Sequence, residues 1–195
     1  LLNFKSTILI PATNALGRTA IGVAEAVNTQ MRAGMDLNGN LGQDFFSYSD
    51  ATIFSATTNT GNATVTSDIT DVGALTTSDY GLTYDGANWT MTSDKGTTST
   101  VVNALPITTL AFEGLTLTID SATAVAGDSF SIKPTLSGAE SINVIQTDPR
   151  LIAAAAPIRT SSSLNNLGGA EISAGVVTDS TARQTGGVIT AVTVD

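Results

Sequence analysis

The strongest constraint on this chain is a change of hydrophobic period that follows Gly34. Over residues 15–33, apolar side chains recur every three or four positions, which predicts an amphipathic helix. They are Leu16, Ala20, Val23, Ala24, Val27 and Met31. Pro11 suits a first helical turn, Thr13 and Asn14 are alternative caps, and Gly34 is placed as the stop. We expect the apolar face to pack against helices that this chain does not contain.

From Phe45 onward, apolar residues alternate with Ser and Thr, which together make up about a quarter of the chain. Thr is β-branched and keeps its hydroxyl at the wet face of a sheet, so this alternation predicts antiparallel β structure. The clearest signal is a hairpin from Tyr80 to Met91 that turns at Asp85-Gly86. Its Trp is predicted to be a core anchor.

A second hairpin is predicted between strands at 115–119 and 130–132, with its turn at Ala126-Gly127-Asp128. Weaker strand patterns cover three further segments. They are 51–57, 63–69 and 100–105, the last closed by Pro106.

The residues after these strands give mixed signals. Residues 138–146 fit neither period well and are predicted as strand. Asp148-Pro149 is typical of the cap and first turn of a short helix, here predicted over 150–156. Weak strands are expected near 172–178 and 188–194.

The whole pattern predicts an α+β, mainly β fold. It consists of a helical segment at 1–44, an antiparallel β domain of sandwich or barrel-like form at 45–137, and a mixed, loop-rich segment at 138–195. The chain opens at Leu1 without a Met and ends within strand-like sequence. We therefore interpret it as an excised fragment.

Charge and composition exclude several functions. The chain carries 17 acidic and 8 basic residues, for a formal net charge of -9, and its basic residues are scattered singly. This charge repels a phosphate backbone, and no polybasic patch is present, so neither nucleic acid nor a membrane surface is an expected partner. No apolar run approaches the roughly 20 residues of a membrane-spanning helix. The absence of Cys removes disulfides and thiolate zinc sites.

Catalytic chemistry has little to use in this sequence. His is absent, which removes the usual general base at neutral pH and the usual partner of a nucleophilic Ser. Four carboxylates are candidates for an acid–base pair of the glycosidase type. They are Glu113, Asp120, Asp128 and Glu140. Glycines adjoin the first and the third, as turn carboxylates often have, so a structural function is preferred.

Binding sites are also weakly indicated. Four aromatic residues are candidates for a sugar-binding platform, although the β domain needs most of them for its own core. They are Tyr48, Tyr80, Tyr84 and Trp89. Gly168-Gly169 and Gly186-Gly187 lack the context of a phosphate loop and are interpreted as loop residues.

The spacing Asp36-x-Asn38-x-Asn40 matches the first three ligand positions of a calcium loop. Leu41 stands where such a loop needs Gly, and Ser47 stands where it needs a bidentate Glu. An Asx turn at Asn38 is therefore preferred. No catalytic, cofactor or metal site is predicted.

Several motifs occur in a fixed order from Leu16 to about Thr178. They are the helix with its exit at 36–46, the hairpin motif at 78–89, Phe112-Glu113-Gly114-Leu115, the strand motif at 126–134, and Thr147-Asp148-Pro149 followed by Ile152-Ala153-Ala154-Ala155. In this order they resemble the flagellar hook-associated protein 1 family, which joins the bacterial flagellar hook to its filament.

The resemblance implies a structural subunit without catalytic residues, exported through the flagellar type III channel to the extracellular flagellum. It implies that the helix belongs to a rod domain built from both chain ends and that the β domain projects outward. The implied partners are copies of itself, the hook protein and the second hook–filament junction protein. The fragment itself is expected to be monomeric because it lacks those chain ends.

Other classes remain open at this point. An Ig-like cell-surface adhesin or a carbohydrate-binding module explains the Thr-rich strands but not the helix before them. A secreted polysaccharide-acting enzyme explains the acidity and the aromatic residues. Within the flagellum, the nearest alternative is another hook or filament-cap subunit.

Overall fold

The computed structural model describes residues 4–156, 158, 165 and 167–169. The chain divides into two compact units. The first contains Leu1–Ala26 and Phe46–Val144, and the second contains Val27–Phe45 and Ile145–Asp195.

A long helix, α1, covers Ile10–Ala33 and follows a π-helical turn at Lys5–Leu9. Its end before Gly34 is confirmed, but it begins upstream of the predicted start at residue 15. Pro11 has no N–H to donate, and its ring crowds the carbonyl of the preceding turn. The wider π turn lies at this point, which fits the space that the ring requires.

Ten strands follow the helix in the part of the chain that the structure describes. They are β1 (Phe46–Ser47), β2 (Thr52–Ser55), β3 (Thr64–Ile69), β4 (Tyr80–Tyr84), β5 (Asn88–Ser93), β6 (Thr98–Val102), β7 (Ile107–Phe112), β8 (Leu115–Asp120), β9 (Ser129–Lys133) and β10 (Asn143–Val144). The first unit contains a five-stranded sheet in the order β2-β9-β4-β5-β6, a three-stranded sheet in the order β3-β8-β7, and the pair β1-β10. All of these pairings are antiparallel. The predicted α+β, mainly β fold is confirmed.

The inward side chains of both larger sheets form one hydrophobic core. They are Tyr80, Leu82, Tyr84, Trp89, Met91, Leu110, Leu115, Leu117, Ile119, Phe130 and Ile132, joined by Leu75 from a loop and Ile21 from α1. Each large side chain of this kind contributes about 1.5–3 kcal/mol when it is fully buried. The alternation of the sequence therefore places the core correctly.

The first predicted hairpin is confirmed, since β4 pairs with β5 in a register that joins Tyr84 to Trp89. The turn is held by Asp85, whose Oδ1 accepts the N–H groups of Ala87 and Asn88 at 2.7 and 2.6 Å. Gly86 takes a φ of 104°, which a residue with a side chain rarely adopts.

The second predicted hairpin is wrong, although both of its strands exist. β8 pairs with β3 and β7, whereas β9 pairs with β2 and β4 in the other sheet. The segment 121–128 is longer than the 2–5 residues typical of a hairpin loop, and it carries the chain from one sheet to the other. The sequence pattern also missed β7, because Pro106 marks the end of the preceding strand pattern.

The other strand predictions in the first unit have mixed outcomes. The strands predicted at 51–57, 63–69 and 100–105 are confirmed with the shorter or shifted bounds of β2, β3 and β6. The strand predicted over 138–146 is wrong in its first half, where a short helix, α2, covers Gly138–Ser141. The amide of Ser141 bonds to the Ser137 carbonyl there, so local helical bonds replace strand pairing.

In the second unit, the predicted helix over 150–156 is reduced to a 3-10 turn at Pro149–Leu151, capped by the Asp148 side chain. Ala155 instead exchanges two N–H···O bonds with Met35, at 2.8 and 3.3 Å, so its backbone is not available for a helix. A Cβ added to Gly34 would lie 2.0 Å from the Ala153 carbonyl oxygen, which shows how closely these backbones approach. The weak strands predicted at 172–178 and 188–194 lie outside the described residues.

Candidate assembly surface

One face of α1 and the turn before it exposes apolar side chains at a seven-residue spacing. Leu9 is 50% exposed, Leu16 is 62% exposed and Val23 is 53% exposed. Seven residues make about two helical turns, or roughly 10 Å of rise, so these side chains lie one above another. A helix face that remains in water is normally polar. We call these three residues the apolar stripe, and it is the candidate assembly surface.

The opposite face of α1 packs within the first unit. Its buried residues follow one another at intervals of three and four, namely Asn14, Gly17, Ile21 and Ala24. The Asn14 amide donates to the Thr77 carbonyl oxygen at 3.1 Å and to Asp79 Oδ1 at 3.0 Å. A Cβ added to Gly17 would lie 1.8 Å from the Thr135 carbonyl oxygen. This face is therefore held by the close approach of the Gly17 and Thr135 backbones and by the hydrogen bonds of the Asn14 side-chain amide. Ile21, on the same face, joins the hydrophobic core.

The predicted apolar face of the helix is thus divided. Ala24 and Met31 are buried, whereas Leu16 and Val23 are exposed. The expectation that all of this face packs outside the chain is wrong for its buried members. Sequence reasoning also missed Leu9, which continues the stripe, although the heptad spacing from Leu9 to Val23 carries that signal.

The loop after α1 uses the Asp36 carboxylate to order its own backbone. Oδ1 accepts the N–H of Asn38 at 2.8 Å and the N–H of Asn40 at 2.7 Å. Burial raises the pKa of Asp36, but the N–H groups of Asn40 and Asn38 outweigh it, so the pKa lies below its usual value. The turn is centred on Asp36, not on Asn38 as predicted. The described residues contain no group of three side chains placed to hold a metal ion.

The four candidate carboxylates occupy separate structural positions. Glu113, in the turn between β7 and β8, has a φ of 45° and accepts hydrogen bonds from the Tyr80 hydroxyl at 2.7 Å and from Thr76 at 3.2 Å. Burial, together with Glu113, raises the pKa of Tyr80 well above its usual value. Asp120 ends β8, at the strand end opposite to Glu113, and Glu140 is exposed in α2. The Glu113 contact fixes a turn to the core.

Asp128 is buried and holds the connection between the two sheets. Its Oδ2 accepts the N–H of Val125 at 2.9 Å, and its Oδ1 accepts those of Thr60 and Gly61 at 3.1 and 3.0 Å. The N–H groups of Val125, Gly61 and Thr60 keep the pKa of Asp128 below its usual value, against the effect of burial. All three bonds order loops of the first unit.

The aromatic residues proposed for a sugar platform lie mainly in the core. Tyr80, Tyr84 and Trp89 are at most 8% exposed, and the rings of the last two stack with centroids 4.7 Å apart. Trp89 is therefore confirmed as a core anchor, and its Nε1 donates to Asn103 Oδ1 at 3.2 Å. Tyr48 is partly buried, and its hydroxyl donates to Glu25 at 3.1 Å. A platform made of these side chains is excluded.

In the part of the chain that the structure describes, no helix is both long enough and apolar enough to cross a bilayer.

Two sequence models of protein families match the chain. Residues 1–46 match the flagellar hook-associated protein FlgK helical domain, and residues 54–134 match the flagellar hook-associated protein 1, D2-like domain. Flagellar hook-associated protein 1 of Escherichia coli (strain K12) is 36% identical over 155 residues, which are 80% of this chain and 28% of that protein. The protein of the same name from Salmonella typhimurium is 31% identical over 156 residues, with the same two shares.

A solved structure shows the same similarity. The flagellar hook junction protein FlgK from Burkholderia pseudomallei superposes with a TM-score of 0.72 at 35% identity, over 78% of this chain and 28% of that chain. The fold and these matches define the class as a structural protein of the bacterial flagellum. The chain belongs to the flagellar hook-associated protein 1 family. It spans 28% of the length of the curated relatives.

Proposed function

We propose that this chain is part of a structural subunit that joins the hook to the filament of the bacterial flagellum and acts by packing between helices, without catalysis. The observation that carries the proposal is the apolar stripe. Leu16 is 62% exposed and Val23 is 53% exposed at a two-turn spacing, which is the pattern of a helix that packs against another helix. Membership of the hook-associated family supplies the place of assembly.

The proposal extends to the organisation of the subunit. The segment 1–44 belongs to a rod domain that further helices complete along the apolar stripe. The β residues 45–137 form an outer domain, and residues from 138 onward return to the rod or begin a further domain. The partners are copies of the subunit, the hook protein and the second hook–filament junction protein, outside the cell after export.

The contacts of the first unit favour this function over the alternatives. The core contains the aromatic rings that a carbohydrate site needs on its surface. Glu113 and Asp128 accept hydrogen bonds from groups that fix the fold. A structural subunit needs neither a free aromatic platform nor a titrating acid–base pair.

A chimera tests the proposal. The segment of the Escherichia coli hook-associated protein 1 that aligns with this chain is replaced by the chain, in cells that lack their own copy. We expect filaments on the cells, counted by electron microscopy, and motility in soft agar. Leu16→Lys with Val23→Lys should abolish both, because two ammonium groups then lie where helices meet in an apolar seam.

The matched control is Ala15→Lys. Ala15 is also exposed and lies about 100° around the helix from Leu16, so a single charge there should leave filaments in place. Normal filament assembly by the doubly substituted chimera would contradict the proposed packing through the apolar stripe. A chimera with the unchanged chain that is secreted but bears no filaments would contradict the junction function.

A further inference from the structure

The loop that follows α1 contains Asn38-Gly39, the only Asn-Gly pair in the sequence. Both residues are exposed, and Gly39 has a φ of 79°. Because Gly has no Cβ, no side chain shields its backbone nitrogen. A bond between that nitrogen and the side-chain carbonyl carbon of Asn38 closes a five-membered ring. The pair therefore combines a nucleophile and an electrophile in adjacent residues that water reaches.

The hydrogen bonds around Asn38 hold its side chain only weakly. Its Nδ2 lies 3.4 Å from Asp36 Oδ2, beyond the usual range of about 2.7–3.2 Å. The N–H of Gly39 donates to the Asp36 carbonyl oxygen at 3.2 Å, at the long end of that range. Asn59, by contrast, donates to the Ser129 carbonyl oxygen at 2.9 Å and accepts the Ser129 N–H at 2.8 Å. The Asn38 amide is therefore able to turn toward the Gly39 nitrogen, whereas that of Asn59 is held at both ends.

We propose that Asn38 is a site of spontaneous deamidation. The Gly39 nitrogen forms a bond to Cγ of Asn38, the bond from Cγ to Nδ2 breaks, and the side-chain nitrogen leaves as ammonia with the proton that Gly39 gives up. Water then opens the cyclic imide at either carbonyl carbon, which gives aspartate or isoaspartate at position 38. No oxidant or reductant takes part. This chemistry is independent of the proposed junction function, since it needs only the loop and water.

The turn between β4 and β5 shows why an amide is required. Asp85-Gly86 has the same glycine on its carboxyl side, and Gly86 also has a positive φ. The N–H groups of Asn88 and Ala87 lower the pKa of Asp85, so its side chain is an ionised carboxylate at neutral pH. An ionised carboxylate resists attack by an amide nitrogen, because the attack would have to expel an oxygen anion. Position 85 is therefore expected to remain aspartate where Asn38 reacts.

Two other asparagines are internal references for the effect of the glycine. Asn40 lies in the same loop and is exposed, but Leu41 follows it. Asn62 is exposed in another loop, and Ala63 follows it. In both cases a Cβ stands beside the attacking nitrogen and hinders its approach. These two positions share exposure with Asn38 and differ from it in the next residue.

Isoaspartate at position 38 would open the turn that follows α1. Asp36 Oδ1 accepts the N–H of Asn38 at 2.8 Å and that of Asn40 at 2.7 Å. Isoaspartate carries the main chain through its β-carbon and adds one carbon atom between these two N–H groups, so they no longer converge on one oxygen. The new carboxylate also repels the Asp36 carboxylate. The modification therefore removes the contacts that order the loop.

Mass spectrometry of the purified chain, kept in warm and mildly alkaline buffer, tests the reaction. Replacement of NH2 by OH raises the mass, and fragmentation of the peptide locates the change. We expect it at Asn38 at least about tenfold faster than at Asn62 or Asn40, which corresponds to a barrier lower by about 1.4 kcal/mol. Equal rates at the three positions would overturn the proposal.

Gly39→Ala tests the requirement for glycine. The added methyl group meets nothing within 4 Å, although the positive φ is less favourable for Ala, so thermal unfolding verifies that the variant is folded. The rate at position 38 should fall to about that at Asn62, which Ala63 follows. A rate that stays the same or rises would contradict attack by the Gly39 nitrogen.

Amide hydrogen exchange tests the effect on the turn. The isoaspartate form, separated from the aged chain, is compared with Asn38→Asp, which has the new charge but the ordinary main chain. Exchange of the Asn40 N–H should be at least about tenfold faster in the isoaspartate form, because this N–H loses its bond to Asp36. Equal exchange in the two forms would show that the modification leaves the turn closed and would overturn this part of the proposal.

Discussion

In both the β strands and the long helix, periodic apolar residues predict which side chains are buried. The prediction is correct for the strands but only partly correct for the helix. In β4 and β5, every apolar side chain predicted to face inward is at most 8% exposed: Tyr80, Leu82, Tyr84, Trp89 and Met91. In α1, Leu16 is 62% exposed and Val23 is 53% exposed, whereas Asn14 and Asn28 are each 2% exposed.

The difference reflects where each surface finds its partner. The two sheets cover one another within the chain, so apolar residues on the strands become the core. The helix face against the first unit is chosen by how closely two backbones can approach, which favours Gly17, and by hydrogen bonds that satisfy Asn14. The apolar side chains of Leu16 and Val23 are therefore left exposed on another face of the helix.

The largest effect that tests this comparison is expected from Gly17→Ala. The new Cβ would lie 1.8 Å from the Thr135 carbonyl oxygen and 2.9 Å from its carbon, so the helix or the 135 segment must move. We expect the free energy of unfolding to fall by about 3 kcal/mol, as in severe overpacking. Urea unfolding followed by Trp fluorescence measures it, because the single Trp lies in the core.

Gly22→Ala is the matched control on the same helix. A Cβ at Gly22 meets nothing within 4 Å, so the better helix propensity of Ala should stabilise the chain by about 1 kcal/mol. If both substitutions destabilise equally, the buried face of α1 has been assigned wrongly.

The strands show how far the sequence predicts this fold. Alternation locates β4, β5, β8 and β9, because a strand with one buried face leaves a period of two. Pairing is predictable for β4 and β5, since a short turn with Gly86 closes them. It was not predictable for β8 and β9, because the path of 121–128 is decided by bonds between Asp128 and the distant residues 60 and 61.

The candidate site shows a second limit. The apolar stripe is visible in the sequence as a heptad repeat, but the sequence alone does not show which apolar helix residues stay exposed. That depends on a glycine contact more than 100 positions away in the chain, between Gly17 and Thr135. The sequence predicts an Asx turn in this loop correctly because such turns depend only on neighbouring residues. The turn begins at Asp36, however, two positions before the predicted Asn38.

A second prediction tests the Asp128 contacts, which the strand pattern did not reveal. The folded state lowers the pKa of Asp128 relative to the unfolded chain. Its ionised form therefore stabilises the fold above the ordinary pKa, and this contribution is lost as pH falls below about 4. Asp128→Asn keeps an oxygen for two N–H groups but turns an amide donor toward the third, so we expect a loss of about 1–3 kcal/mol at pH 7.

The free energy of unfolding in urea, measured at pH 7 and at pH 3, separates the effect of the ionised Asp128 carboxylate from that of its protonated form. The gap in unfolding free energy between the original chain and Asp128→Asn should narrow at pH 3, because the Asp128 carboxyl is then largely protonated in the unfolded chain, and part of the stability that its lowered pKa in the folded state supplies is lost. A gap of the same size at both values would show that the charge of Asp128 does not stabilise the connection between the sheets.

The smallest effect is expected from Leu16→Ala and Val23→Ala. Neither side chain is needed for the core, and Ala is a good helix former, so each change should alter the free energy of unfolding by less than about 0.5 kcal/mol. Ile21→Ala is the matched control, since Ile21 is 0% exposed, and it should cost about 2–5 kcal/mol. A loss at Leu16 equal to that at Ile21 would mean that the stripe is part of the core. If Leu16 and Val23 are not needed for folding but are needed for filaments in the chimera, the stripe acts in assembly and not in folding.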